Sequence, residues 1–152
     1  MKSTRLTSIL GSSVIASALA IGSLASTQVA SAQTPSVMAE VTIPFDFQNG
    51  SQALPAGTYR ISVETDHLIR LQGSHAGGFV FTHDASRMSA SKKGTVVFDR
   101  YGDKYYLHQI WTAGSKDGLE CPKSRAEKES VQASNMQPPS TVELALNAIP
   151  NR

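Results

Sequence analysis

From Glu40 onward the chain alternates between apolar and polar positions with a period of two. Val41, Ile43, Phe45 and Phe47 fall on one side of an extended segment, and Thr42, Pro44, Asp46 and Gln48 on the other. That pattern predicts a half-buried strand. Pro44 lacks the N–H that a ladder needs, which places an edge or a bulge there. Asn49-Gly50 tolerates positive φ and predicts a two-residue hairpin turn with Leu54 opposite Phe45. Leu54-Pro55-Ala56-Gly57 then reads as a type I turn.

Thr58–Thr65 alternates again, with Tyr59, Ile61 and Val63 opposed to Arg60, Ser62 and Glu64. A loop over Thr65-Asp66-His67 sets Val63 opposite Ile69, Ile61 opposite Leu71 and Tyr59 opposite Gly73, because a one-residue slip would mix the two faces. A loop over Ser74–Gly78 would pair Leu71 with Phe81 and Gly73 with Phe79. Three strands would then share one apolar face. Ser86–Gly94 is polar and rich in Ser and Lys, a loop.

Thr95–Trp111 is a strand, a Gly102-Asp103 turn and a second strand. With a II′ turn, Phe98 faces Leu107, Arg100 faces Tyr105 and Val96 faces Gln109. The other side sets Asp99 opposite Tyr106, Val97 opposite His108 and Thr95 opposite Ile110. Gly114–Gly118 is a further turn. Pro122–Gln132 has no apolar period and many charges, which predicts a short solvated helix with Pro122 in its first position. Lys123 and Glu127, and Arg125 and Glu129, stand four apart on it. Ala133–Ser140 is linker-like. Thr141–Ile149 regains a period of two at Val142, Leu144 and Leu146: either a last strand docked on a sheet edge or a tail.

About six strands joined by tight turns predict an all-β fold. An antiparallel meander has one apolar face to cover, so it must close into a small barrel or fold into a sandwich, here with a short C-terminal helix. The resulting division is a leader at 1–32, a flexible arm at 33–39, the β-domain with its helix at 40–131, and a linker and tail at 132–152.

The first segment is set apart by its composition. Lys2 and Arg5 precede an apolar run over Leu6–Leu24, and Ala30-Ser31-Ala32 supplies the small residues of a signal-peptidase site. The expectation is Sec-type export with cleavage after Ala32, to the periplasm or beyond, with no membrane span retained, since the run is diluted by Ser and Gly. Removing Lys2 and Arg5 leaves twelve Lys and Arg against twelve Asp and Glu, so the net +2 of the whole chain belongs to the leader. A balanced chain lacks the field that draws proteins to phosphate backbones, and nucleic acid is not the expected partner. The one cysteine, Cys121, cannot make an intramolecular disulfide and reads as a small, partly buried side chain.

Candidate chemistry gathers in Thr95–Trp111. Asp99 and His108 become diagonal neighbours, the usual start of a general-base arrangement, yet no nucleophile motif such as G-x-S-x-G accompanies them. A structural role is expected for the pair. His67, His75 and His83 recur at even spacing, but His67 and His75 fall in loops and His83 opposite Ile69, so no metal site is expected. Tyr101, Tyr105, Tyr106 and Trp111 form an aromatic group of the kind used to bind carbohydrate or peptide. Trp111 is expected in the core with Leu107, and Tyr101 and Tyr106 as exposed contacts. The candidate binding residues are therefore Tyr101, Tyr106, Asp99, His108 and Trp111.

The segments IPFDF (43–47), LPAGTYRI (54–61), KGTVVFDRYGDKYYLHQIW (93–111) and PKSRAEKE (122–129) resemble, in this order, a group of small exported bacterial proteins of unknown function. The resemblance covers most of the chain after the leader and implies no activity, cofactor or site. The resulting expectation is a non-enzymatic exported β-domain that needs no cofactor. Its partner would be a carbohydrate, a peptide or another envelope protein. A barrel holding a small apolar ligand among Phe79, Phe81 and Tyr59, and a hydrolase using Asp99 and His108, are the alternatives.

Overall fold

The computed structural model describes residues 36–149; the predicted leader lies outside them. Within this span the chain is mostly β, as its alternation predicts. Eleven strands and one helix form, against about six strands expected. The first strand, β1 (Ser36–Ile43), begins four residues before the predicted start and takes in part of the predicted arm. Two short strands, β2 (Phe47–Asn49) and β3 (Gln52–Leu54), form the Asn-Gly hairpin. Its loop is Gly50-Ser51, with φ +60 at Gly50, so Leu54 faces Phe47 instead of Phe45. The shift is an even number of residues, so Leu54 stays on the buried face.

The strands β4 (Gly57–Thr65) and β5 (Leu68–Gln72) pair in the predicted register: Ile61 with Leu71, Ser62 with Arg70 and Val63 with Ile69. The next pairing does not. The strand β6 (Gly77–Phe81) sets Leu71 against Gly78, Ile69 against Val80 and Leu68 against Phe81. Val80 is buried, while Phe79 and Phe81 point outward at 57% and 71% exposure. The glycines set this register. A Cβ on Gly77 would come within 2.7 Å of the Leu71 carbonyl oxygen, and one on Gly78 would strike the Gln52 side chain. Gly77 is thus required where β6 passes the β5 backbone, and Gly78 leaves room for the Gln52 side chain of the β2–β3 hairpin. Tyr59, instead of Phe79, covers Gly73, whose Cβ would meet the ring.

After Thr82, whose N–H donates to the His67 carbonyl at 2.8 Å, the chain continues as β7 (His83–Ser86). His83 therefore stands opposite Glu120 and not Ile69. The long strands β8 (Gly94–Tyr101) and β9 (Lys104–Trp111) follow, then β10 (Asp117–Glu120), α1 (Arg125–Ala133) and β11 (Ser140–Ala148). The strand order is β3-β2-β9-β8-β11-β1-β4-β5-β6, and β10 bridges β9 to β7. Because β6 runs on into β7, this order makes a nearly closed barrel. Its wall is completed by the last strand: β11 lies between β8 and β1, inside the sheet rather than on an edge.

Inward-facing residues fill the interior, among them Val41, Ile43, Tyr59, Ile61, Leu71 and Phe98. Phe98 meets Phe45 and Phe47 edge-on at centroid distances of 5.3 and 5.4 Å. The pocket expected among Phe79, Phe81 and Tyr59 does not form, since the two phenylalanines face away from the core.

The helix starts at Arg125, capped by the Ser124 hydroxyl, which accepts from the Glu127 N–H at 3.1 Å. Pro122 precedes it. Expected to be solvated, α1 instead buries Glu127 and Ser130. Among the described residues no helix is long and apolar enough to cross a membrane.

Candidate functional site

The β8–β9 hairpin keeps its predicted register near the turn: Phe98 with Leu107, Asp99 with Tyr106, Arg100 with Tyr105. Gly102 has φ +61 and Asp103 has none in that region, as a II′ turn requires. Beyond Leu107 the pairing slips by one, to Val97 with Gln109, Val96 with Ile110 and Thr95 with Trp111. His108 is the extra residue of a β-bulge, and bulges re-aim side chains. Its carbonyl accepts from the Cys121 N–H at 2.7 Å, so the irregular backbone is tied down.

His108 Nδ1 lies 3.1 Å from Asp99 Oδ1, the diagonal contact that the hairpin register predicts. The bulge turns Trp111 to the opposite side of the sheet from Leu107. Trp111 is only 7% exposed but lies outside the core cluster, beneath Arg87, whose guanidinium sits 4.6 Å from the indole. Trp111 is thus buried as expected, but the expectation that it packs with Leu107 assumed unbroken alternation and is corrected.

Asp99, 3% exposed, is the hub of a charged network. Lys123 Nζ lies 3.7 Å from Asp99 Oδ2 and 3.4 Å from Glu127 Oε1, and donates to the Tyr101 hydroxyl at 2.9 Å. On the other side of the imidazole, His108 Nε2 stands 4.0 Å from Glu120 Oε1. Glu120 accepts from Gln109 Nε2 at 2.9 Å, and Gln109 in turn accepts from Trp111 Nε1 at 3.3 Å. The hydrogen bond to Asp99 raises the His108 pKa above 6.5; burial opposes this, the charges of Asp99 and Glu120 add to it, and Lys123 subtracts. Burial raises Glu127, against the pull of Lys123. The bond to Tyr101 raises Lys123. Burial pushes the Cys121 thiol up to about 12, far from the range of a reactive thiolate.

A groove of about 640 Å³ runs along this outer wall. Asp99, His108 and Trp111 line it together with Arg87, Lys123, Thr95, Thr141 and Glu143. Of the five predicted binding residues, three are thus brought together. Tyr101 and Tyr106 are not exposed contacts. Both are buried, Tyr106 sharing a 2.8 Å hydrogen bond with Ser130 and donating to the Ala126 carbonyl, and Tyr101 packing edge-on against it. Their rings anchor α1 to the barrel. Arg87, Glu120 and Glu143 escaped sequence reasoning. Arg87 sits just after β7 in a stretch that reads as polar loop, and only the fold sets it over Trp111. The odd spacing of Leu107 and Ile110, three apart within a strand, is the signal that would have revealed the bulge.

His67, His75 and His83 lie in two turns and on β7. Among the described residues no three His, Cys, Asp or Glu side chains are grouped so as to hold a metal ion.

Gly118 stands opposite Trp111 on β10, and a Cβ there would overlap the indole ring. Gly118→Ala is expected to displace Trp111 and to destabilise the fold by about 1–3 kcal/mol. Urea unfolding and the emission maximum of the sole tryptophan measure both effects; an unshifted spectrum with unchanged stability would show that the ring is not held as described.

Compared with models of protein families, with curated proteins and with solved structures, the chain matches none of them.

Proposed function

We propose that the protein is an exported, non-enzymatic binding domain of the cell envelope or beyond, and that its outer-wall groove takes a carbohydrate. The observation that carries this reading is the groove itself. The barrel interior is filled by side chains, so binding belongs on the wall, and there the groove is lined by Trp111 together with the polar side chains of Gln109, Thr95, Thr141 and Glu143. Sugar hydroxyls are recognised by such sets of planar polar groups and hydroxyls. Export rests on Lys2, Arg5 and the Ala30-Ser31-Ala32 motif.

Thr141 is exposed on β11 and lines the groove, so Thr141→Phe fills the site without touching the core. Polysaccharides of the native envelope are expected to be retained by the immobilised protein and released by this variant. Equal retention by both, or none by either, would sink the proposal. A mature N-terminus found at Met1 would remove its export half.

A hydrolase is the second reading, favoured by the 3.1 Å His108–Asp99 bond in a groove that also holds Ser91, Thr95 and Thr141. Against it, Nε2 of His108 faces Glu120, a carboxylate that holds a proton on the ring instead of a hydroxyl that would surrender one. His108→Ala is expected to leave polysaccharide chain length unchanged relative to the parent protein; hydrolysis that it abolishes would reverse this ranking.

A further inference from the structure

Three cationic side chains line the groove, and two of them are already committed. Lys123 is shared by Asp99, Glu127 and Tyr101, and His108 is bracketed by Asp99 and Glu120. Arg87 differs. Its Nη2 donates to the Ser115 carbonyl at 3.3 Å, its buried Nε has no partner, and no carboxylate among the described residues pairs with it. The guanidinium is nevertheless held in place, its carbon 4.6 Å from the centre of the Trp111 ring, whose N–H is itself fixed by Gln109. A guanidinium held over a ring in this way has lost part of its rotamer freedom before any ligand arrives, and the N–H groups of its two terminal nitrogens that Ser115 does not take are left for a carboxylate.

We infer that the ligand of this groove is an acidic saccharide, a uronic acid unit whose carboxylate is taken by Arg87. The inference rests on the carbohydrate reading above and narrows it. A single uncommitted cation in the groove suits one carboxylate per sugar unit. It does not suit a polyphosphate, which would need several free cations and which the balanced charge of the chain after its leader would not attract. Glu143, exposed on β11, is placed to accept from sugar hydroxyls and to repel a second carboxylate.

The sole tryptophan of the chain lies under Arg87, so its emission reports occupancy directly. The full-chain protein is titrated with polygalacturonate and with its fully methyl-esterified form. Binding of the acid is expected to be about tenfold tighter, in line with a charge-assisted forked hydrogen bond. Arg87→Gln should reduce the acid to the affinity of the ester. Arg87→Lys, which keeps the charge without the fork, should restore only part of the difference. Equal affinity of the parent for acid and ester, or a preference for the acid that survives in Arg87→Gln, overturns the assignment to Arg87 while the carbohydrate reading stands. Binding of neither polymer, alongside retention of neutral envelope polysaccharide, also removes the acidic ligand and spares that reading. Retention of no polysaccharide at all removes both. Urea transitions of the two variants matching the parent would exclude unfolding as the cause of any loss.

Discussion

A chain ending at Pro139 is expected to have no cooperative unfolding transition. The nine residues of β11 are a small part of the sequence, but they form an inner stave of the barrel wall. They pair with β8 from Ser140 opposite Arg100 to Leu146 opposite Gly94, and they meet β1 at Ala39 and Glu40. Val142, Leu144 and Leu146 pack against the core cluster that includes Val41, Val96 and Phe98. Deleting them leaves two facing strand edges without partners and opens the interior to water. Each lost ladder bond contributes on the order of 1 kcal/mol, and each half-buried aliphatic side chain about as much again. The sum reaches the whole of an ordinary domain's stability, about 5–15 kcal/mol. Circular dichroism and urea titration measure the result. A truncated chain that still unfolds cooperatively, within about 1 kcal/mol of the full one, would show that the barrel closes without β11. Because β1 and β11 come from opposite ends of the described chain, closure also waits on the most distant contacts in it, and slow folding is the natural companion of this topology.

The period of two made the strands legible and left their neighbours open. The β4–β5 register could be read because Ile61, Val63, Ile69 and Leu71 are apolar while Arg60, Ser62, Arg70 and Gln72 beside them are polar, so one pairing keeps the two sets apart. The run Gly77-Gly78-Phe79-Val80-Phe81 is apolar in either phase, and its orientation was decided by close approaches at two glycines that no periodicity displays. In β11 the alternation announced a strand, but its place between β8 and β1 is a property of the closed sheet. The helix was misjudged for a different reason. Its buried face is made of Glu127 and Ser130, polar groups satisfied by Lys123 and Tyr106, so no apolar stripe marks it. At the site, the meeting of Asp99 with His108 was legible from the hairpin, whereas the side of the sheet that Trp111 occupies depended on one inserted residue.

Asp99→Ala is expected to destabilise the protein by about 3 kcal/mol. The carboxylate is almost wholly enclosed and serves His108 and Lys123 at once, so its removal takes one anionic partner from each and leaves only Glu120 and Glu127 to face them. Asp99→Asn keeps the shape and an acceptor for His108 Nδ1, and should be milder. Both variants should differ from the parent in how stability depends on pH. In the parent protein His108 titrates above 6.5 because Asp99 holds its protonated form. A group raised in the folded state binds its proton more tightly there than in the unfolded chain. Its contribution is therefore complete below about pH 6.5, the unfolded value, and is lost as pH rises through the folded value. Glu127, also raised, acts in the same direction from 4.5 upward, and Lys123 does so above 10.5. Stability should thus decline from neutral into alkaline pH. In Asp99→Asn the His108 part of that decline should shrink, with the imidazole titrating at lower pH by nuclear magnetic resonance. A variant whose His108 titrates as in the parent, with an unchanged stability profile, would mean that Glu120 and not Asp99 holds the proton. The bond that first suggests catalysis would then be a by-product of the hairpin register, and His108 would owe its charge to Glu120.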